Sequence, residues 1–179
     1  DEVCADLAKA VTGFLAKPEV ALSVLGAIQS PDTLERIAEA DGGAYGRVVL
    51  ASNKLDNPDF PSAQVRTPVL VACDAGDAAA YTEERFGPIS FIVKAADTAA
   101  AIAASERLVA THGALTVGVY STRPEVIDAM TAATLRSKVA LSINLTGGVF
   151  VNQSAAFSDF HGTGGNPAAN ASYSDAAFV

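Results

Sequence analysis

The sequence contains few residues of the kinds that build disulfide frameworks and metal centres. Its 179 residues include two cysteines and two histidines. Two cysteines cannot make a disulfide framework, and two histidines need carboxylate partners to hold a metal ion, so neither feature is expected. Cys4 lies on the apolar stripe of a predicted helix and Cys73 closes an apolar strand. We therefore expect both thiols to serve packing rather than catalysis.

Basic residues are also scarce. The chain has 12 Lys and Arg against 20 Asp and Glu, which gives a net charge of −8. An acidic domain repels phosphate backbones, so nucleic-acid binding is not expected. The longest uncharged stretch, 139–158, contains polar side chains that would be costly in a bilayer, and no basic-then-apolar leader opens the chain. These absences predict a cytoplasmic protein without a membrane segment.

The pattern of apolar runs predicts the fold class. Half of the residues are hydrophobic and the mean hydropathy is +0.28, enough for one sizeable core. Nearly continuous apolar runs at 89–93, 115–120 and 139–145 are separated by helical patterns, as in a sheet buried on both faces. We therefore predict an α/β fold with three layers: a mostly parallel sheet with helices on both faces.

The domain organisation is predicted from composition. Residues 1–156 carry the α/β pattern, with further strands expected at 47–51, 68–73 and 148–152. Residues 157–179 are rich in Gly, Ala, Asn and Ser, and we expect an extended tail with a terminal strand in the same domain. Both ends resemble the interior of an element, so we expect this chain to be a piece of a larger protein.

A charged turn before strand 89–93 is the strongest local signal. It has the sequence Glu83-Glu84-Arg85-Phe86-Gly87-Pro88. A carboxylate can accept two hydrogen bonds from the diol of a ribose, and an aromatic edge can pack against a nicotinamide. From the residues alone, the turn is either such a site or simply a solvated turn that Gly-Pro ends.

The same turn resembles the Glu-Glu-x-Phe-Gly-Pro hallmark of the aldehyde dehydrogenase superfamily. The resemblance continues in family order over almost the whole chain: residues 30–43, strand 47–51, Thr67–Leu70, residues 111–120 and Gly148–Asn152. It implies the C-terminal portion of the catalytic domain of an enzyme that oxidises an aldehyde with NAD or NADP through a cysteine thioester. It also implies a homo-oligomeric enzyme, with the nicotinamide cofactor and the aldehyde as its ligands.

The resemblance assigns roles to particular residues. Glu84 resembles the glutamate that holds the nicotinamide ribose, and Phe86 resembles the aromatic residue beside it. Asn152 resembles an asparagine near the substrate end of the catalytic domain, and His161 lies in a neighbouring glycine-rich segment that is expected at the substrate edge. The family's nucleophilic cysteine lies in a segment upstream of the first helix, so no catalytic residue is expected here and the isolated chain is expected to be inactive.

The segment 152–172 resembles the phenylacetate-degradation branch of the family, whose substrate would be a semialdehyde carried on coenzyme A. It departs from the common family pattern, because no lysine accompanies the glycines of 162–165. Two alternatives from other classes remain open at this point. One is a non-catalytic oligomerisation or interaction module that uses the strand near 176–179. The other is a flavodoxin-like nucleotide-binding domain, which the absence of a phosphate loop disfavours.

Overall fold

Proline and aspartate provide the start signals of four helices. Pro18, Pro31 and Pro124 each occupy the first turn of a helix, where the missing N–H would have had no partner within the helix. Asp97 caps a fourth helix, because its Oδ1 atom accepts a hydrogen bond of 2.7 Å from the N–H of Ala100. These helices therefore begin at residues that are suited to a helix N-terminus.

A computed structural model describes residues 2–114 and 116–145. Its helices are α1 (Glu2–Phe14), α2 (Pro18–Val24), α3 (Pro31–Asp41), α4 (Ala78–Tyr81), α5 (Thr98–His112) and α6 (Pro124–Ser137). Its strands are β1 (Arg47–Leu50), β2 (Lys54–Leu55), β3 (Val65–Arg66), β4 (Val69–Asp74), β5 (Ile89–Lys94), β6 (Thr116–Val119) and β7 (Ala140–Ile143). The chain divides after Ala95 into two compact units.

A mixed three-stranded sheet with the order β1-β4-β5 forms the centre of the first unit. Strands β4 and β5 are parallel, with Val69 opposite Ile89, and β1 is antiparallel to β4. Val69 and Val71 are fully buried and cluster with Ala40 of α3. Leu70, which lies between them on the other face, is also buried. The central strand is therefore covered on both sides, as its continuous apolar run predicts.

The loop between α3 and β1 passes very close to β4. Gly46 has a φ of +143°, and a Cβ atom built on it would lie 2.5 Å from the carbonyl oxygen of Ala72. Real Cβ atoms do not approach backbone oxygen so closely, and other residues rarely adopt this φ. Glycine is therefore required at position 46 for the loop to reach β1.

A parallel strand pair with a connecting helix forms the second unit. Thr116 of β6 lies opposite Ala140 of β7, and α6 connects the two strands. On α6, Met130, Ala133 and Thr134 are buried. Helices α5 and α6 are joined by a two-pronged ion pair, in which Arg136 donates from Nε and Nη2 to the two carboxylate oxygens of Glu106 at 2.6 and 2.9 Å. These hydrogen bonds lower the pKa of Glu106.

The side chain of Asn144 extends the contact between β6 and β7 beyond the strand ends. Its Oδ1 atom accepts from the N–H of Ser121 at 2.9 Å, and its Nδ2 atom donates to the Ser121 carbonyl oxygen at the same distance. The amide of Asn144 thus makes the two hydrogen bonds that a backbone peptide would make. This pairing fixes the loop that follows β6.

The predicted α/β class is confirmed, and the strands expected at 47–51, 68–73 and 89–93 agree with β1, β4 and β5 to within one residue at either end. The strands expected at 115–120 and 139–145 are present as β6 and β7, which are shorter than expected. Helix α2, which Pro18 begins, is a further element. Residues 53–67 contain the short antiparallel pair β2 and β3. The strand at 148–152 and the predicted boundary at 156/157 lie outside the described residues and stay predictions.

Candidate functional site

The charged turn 83–88 lies at the amino end of β5. It connects the short helix α4 to this strand. The carbonyl oxygen of Pro88 accepts a 2.9 Å hydrogen bond from the N–H of Val69, the first residue of the parallel strand β4. The last residue of the turn is therefore held by the backbone of the central strand, and the turn has a fixed attachment to the sheet.

Side chains on this turn alternate between solvent and protein. Glu84 is exposed, and Phe86 is 66% exposed. Between them, the side chain of Arg85 is only 12% exposed. Among the described residues, no hydrogen bond or ion pair engages the carboxylate of Glu84. The turn therefore presents an acid and an aromatic ring to the outside while the arginine packs inward.

Arg85 packs against Tyr45, a residue of the loop between α3 and β1. The guanidinium carbon lies 3.8 Å from the centre of the Tyr45 ring, a distance typical of cation–π contacts. An Nη2 atom of Arg85 also lies 3.3 Å from a carboxylate oxygen of Glu83. The turn is thus attached to the protein through its arginine as well as through the proline carbonyl.

A comparison with solved structures finds a similar protein, the NAD-dependent aldehyde dehydrogenase from Burkholderia multivorans. The two are 52% identical, with a TM-score of 0.84, and the similarity covers 100% of this chain and 32% of the other. The similarity supports assignment to the aldehyde dehydrogenase superfamily. The chain thus spans about a third of the length of this aldehyde dehydrogenase, and its α/β architecture matches a fragment of the catalytic domain. No family model and no curated protein matches the chain.

The other two residues with roles implied by the aldehyde dehydrogenase resemblance, Asn152 and His161, lie outside the described residues. Their positions relative to Glu84 and Phe86 stay predictions. Glu84 and Phe86 are brought to one exposed surface by the turn. Both side chains are therefore accessible from solvent.

Cys73 does not have the surroundings of an activated nucleophile. Cys4 and Cys73 line one open cleft of about 590 Å³. Burial raises the pKa of Cys73, and the nearby carboxylates of Asp77 and Asp74 raise it further. A thiol with a raised pKa holds less thiolate at neutral pH and reacts slowly. This environment supports a packing role for Cys73.

Tyr45 is the residue of this site that the sequence did not reveal. Its hydroxyl donates a hydrogen bond to Glu39 of α3, and this bond is the main reason that the pKa of Tyr45 is raised. Tyr45 precedes Arg85 by forty positions, and neither lies in a repeating pattern. The only local hint is its place in a glycine-rich loop, which does not indicate the partner.

Two structural features are absent from residues 2–114 and 116–145. None of the helices there is long and apolar enough to cross a membrane. Within residues 2–114 and 116–145, no group of three or more His, Cys, Asp or Glu side chains is arranged to hold a metal ion.

Proposed function

We propose that this chain is part of an NAD- or NADP-dependent aldehyde dehydrogenase that oxidises an aldehyde to the carboxylic acid. In the net reaction, aldehyde and water give the acid, a hydride passes to the oxidised nicotinamide, and one proton is released. The similarity to the Burkholderia multivorans enzyme and the hallmark turn support this proposal. The proposal assigns the cysteine nucleophile to a part of the enzyme outside residues 1–179, so this chain alone would be inactive.

In this proposal Glu84 and Phe86 hold the ribose beside the nicotinamide. The observation that carries it is the exposure of both side chains on either side of the inward-facing Arg85. The two oxygens of the Glu84 carboxylate can accept hydrogen bonds from the two ribose hydroxyls, and the Phe86 ring can pack against the sugar or the nicotinamide. These contacts would orient the nicotinamide, because hydride transfer requires the nicotinamide to be aligned with the substrate.

The proposal keeps both NAD and NADP as cofactors. The two differ by a phosphate on the adenosine ribose, whereas Glu84 and Phe86 would contact the nicotinamide ribose, which both contain. Initial rates with each cofactor at a fixed aldehyde concentration would decide between them.

For the substrate, we propose a semialdehyde carried on coenzyme A, of the kind formed in aromatic or phenylacetate catabolism. The support is the resemblance of residues 152–172 to that branch, with Asn152 and His161 on the substrate side. The test compares kcat/KM for such a thioester-linked semialdehyde with that for a simple aliphatic aldehyde. A preference of about tenfold or more, equivalent to ~1.4 kcal/mol, is expected. Equal values would contradict the substrate proposal and leave the aldehyde dehydrogenase activity in place.

The proposed cofactor contact is tested by Glu84→Gln in the full-length enzyme. Glutamine keeps the shape of the side chain but loses the charge and one acceptor oxygen. Loss of a charge-assisted hydrogen bond costs about 1.5–3 kcal/mol, so the KM for the cofactor should rise, or kcat should fall, by roughly tenfold or more. Steady-state kinetics with varied cofactor, together with single-turnover hydride transfer, would measure this.

Glu35→Gln is the matched control. Glu35 is also an exposed glutamate of the first unit, and it lies on α3 rather than in the turn. Its replacement should leave the kinetics unchanged. Wild-type cofactor affinity and turnover in Glu84→Gln would overturn the assignment of Glu84.

We also propose that the whole enzyme is a cytoplasmic homo-oligomer. Helix α1 leaves Val3, Leu7 and Phe14 exposed, by 71%, 40% and 60%. Exposed apolar side chains on one amphipathic helix are typical of a surface that another protein segment covers. Light scattering of the full-length enzyme at several concentrations would test this, and a monomeric mass throughout would contradict the homo-oligomer.

A further inference from the structure

The side chain of Arg85 faces the protein, whereas the side chains of its two neighbours in the turn face solvent. Its side chain is 12% exposed, whereas Phe86 is 66% exposed and Glu84 lies on the surface. Because the three residues are consecutive, the direction of the Arg85 side chain limits the directions that its two neighbours can take. Whatever holds Arg85 therefore also influences where Glu84 and Phe86 point.

The Tyr45 ring provides a rigid support for Arg85. It packs against the buried cluster of Ala40, Val69 and Val71, and its centre lies 6.2 Å from that of Phe91 at an angle of 60°. At its other end, the Tyr45 hydroxyl is bonded to Glu39 of α3. Contacts with the core and with a helix thus fix the ring on which the guanidinium lies.

The contact depends on the shape of arginine as well as its charge. The guanidinium carbon is 3.8 Å from the Tyr45 ring centre, so the two groups are in direct contact. The Nε atom of Arg85 is buried, and no described residue accepts a hydrogen bond from it. The ring contact and the ion pair with Glu83 therefore determine the orientation of Arg85. Lysine could provide the charge but not a planar group.

We propose that Arg85 and Tyr45 are positioning residues that set Glu84 and Phe86 in the orientation needed for the nicotinamide ribose. This inference rests on the proposed function. Neither residue needs to touch the cofactor, since both act through the backbone of the turn. Loss of the Arg85–Tyr45 contact should therefore weaken cofactor use even though Glu84 and Phe86 remain.

The test uses Arg85→Met and Tyr45→Leu in the full-length enzyme, alone and combined. Each single variant should raise the KM for the nicotinamide cofactor about fivefold or more, while the KM for the aldehyde changes less than twofold. Because both remove the same contact, the double variant should be no worse than either single variant. Tyr45→Phe keeps the ring and should keep a cofactor KM close to that of the wild type.

Two controls separate positioning from stability. Arg66→Met removes another partly buried arginine of the first unit, which pairs with Asp41 at 3.6 Å and lies on β3 outside the turn. Its cofactor KM should stay unchanged even if its melting temperature falls. If Arg85→Met does not fold, Arg85→Lys and the comparison of Tyr45→Phe with Tyr45→Leu give the same test. Equal cofactor KM values in Tyr45→Phe and Tyr45→Leu would overturn the proposal.

The kinetics of these variants also distinguish a failure of the positioning role from a failure of the proposed cofactor contact. Impaired Glu84→Gln together with wild-type cofactor kinetics in Arg85→Met would overturn the positioning role alone. Wild-type kinetics in Glu84→Gln would overturn the cofactor contact itself, and the positioning role with it. A loss of stability in Arg85→Met without a change in cofactor KM would assign Arg85 a purely structural role and would also overturn the proposal.

Discussion

Gly87 lies against Thr33 of α3 so closely that a Cβ atom built on the glycine would be 3.0 Å from the Thr33 Cγ2 atom. The φ of Gly87 is +144°, a conformation that residues with a side chain rarely adopt. The turn thus lies against α3 at Gly87 and against Tyr45 at Arg85. Its path is fixed on both sides of Phe86.

Gly87→Ala should destabilise the protein, because the added methyl group meets Thr33 and the backbone is strained. Strain of this kind costs about 1–3 kcal/mol. Urea unfolding of the full-length enzyme would measure the loss. Gly26→Ala is the control, since a Cβ there would meet nothing within 4 Å and no positive φ is involved. A Gly87→Ala variant as stable as Gly26→Ala would contradict the prediction.

Tyr45→Phe should lower stability by at most about 1 kcal/mol at neutral pH, because a solvent-exposed hydrogen bond to Glu39 is lost. The bond raises the pKa of Tyr45 above its ordinary value of about 10. A raised folded-state pKa stabilises the fold below the unfolded pKa, and this contribution is lost as the pH rises through the folded pKa. The difference between wild type and variant should therefore be constant up to about pH 10 and shrink above it.

Unfolding curves of both proteins between pH 7 and pH 11 would test this pH dependence. Other tyrosines and lysines also titrate in this range, but they are common to both proteins and cancel in the difference. A stability difference that grows with rising pH would have the wrong sign for the hydrogen bond described.

Cys73 should react slowly with iodoacetamide at neutral pH. Its burial and the nearby Asp77 and Asp74 raise its pKa, so little thiolate is present. The rate, followed by intact mass in a Cys4→Ser background, should be below that of a free small thiol. Unfolding in urea should restore the rate of a free thiol. Alkylation of the folded protein at the free-thiol rate would contradict the packing role.

Asp97→Ala should destabilise α5, because the N–H of Ala100 loses its side-chain acceptor. Loss of an N-terminal cap of this type costs about 0.5–2 kcal/mol. Asp97→Asn keeps an acceptor oxygen and should retain most of the stability. Asp128→Ala, an exposed position inside α6, is the control for loss of a carboxylate. Equal stabilities of the alanine and asparagine variants at position 97 would contradict the cap.

The sequence predicted those parts of the fold whose signal lies in residues that are close together in the chain. The continuous apolar runs of β4 and β5 are local signals, and the structure agrees with them. The pair β2 and β3 was missed because two residues are too few to show an alternating pattern. Helix α2 was missed although Pro18 is a start signal, because its apolar residues show no clear helical spacing.

For the candidate site, the sequence identified the turn but not its support. The order Glu84-Arg85-Phe86 is visible in the chain, and the exposure of the two outer residues agrees with a ligand contact. The packing of Arg85 on Tyr45 depends on how the loop before β1 folds back over the sheet. A contact between residues forty positions apart has no local signature, so only the structure could reveal it.

The approach of Gly46 to β4 has a consequence for how this protein can evolve. Any side chain at that position would collide with the Ala72 carbonyl oxygen at 2.5 Å, and no neighbouring substitution can remove a main-chain atom. Homologous proteins should therefore retain this glycine even where the surrounding surface residues differ. The same loop contains Tyr45. A backbone rearrangement that made room for a side chain at position 46 would therefore also move the ring that Arg85 contacts.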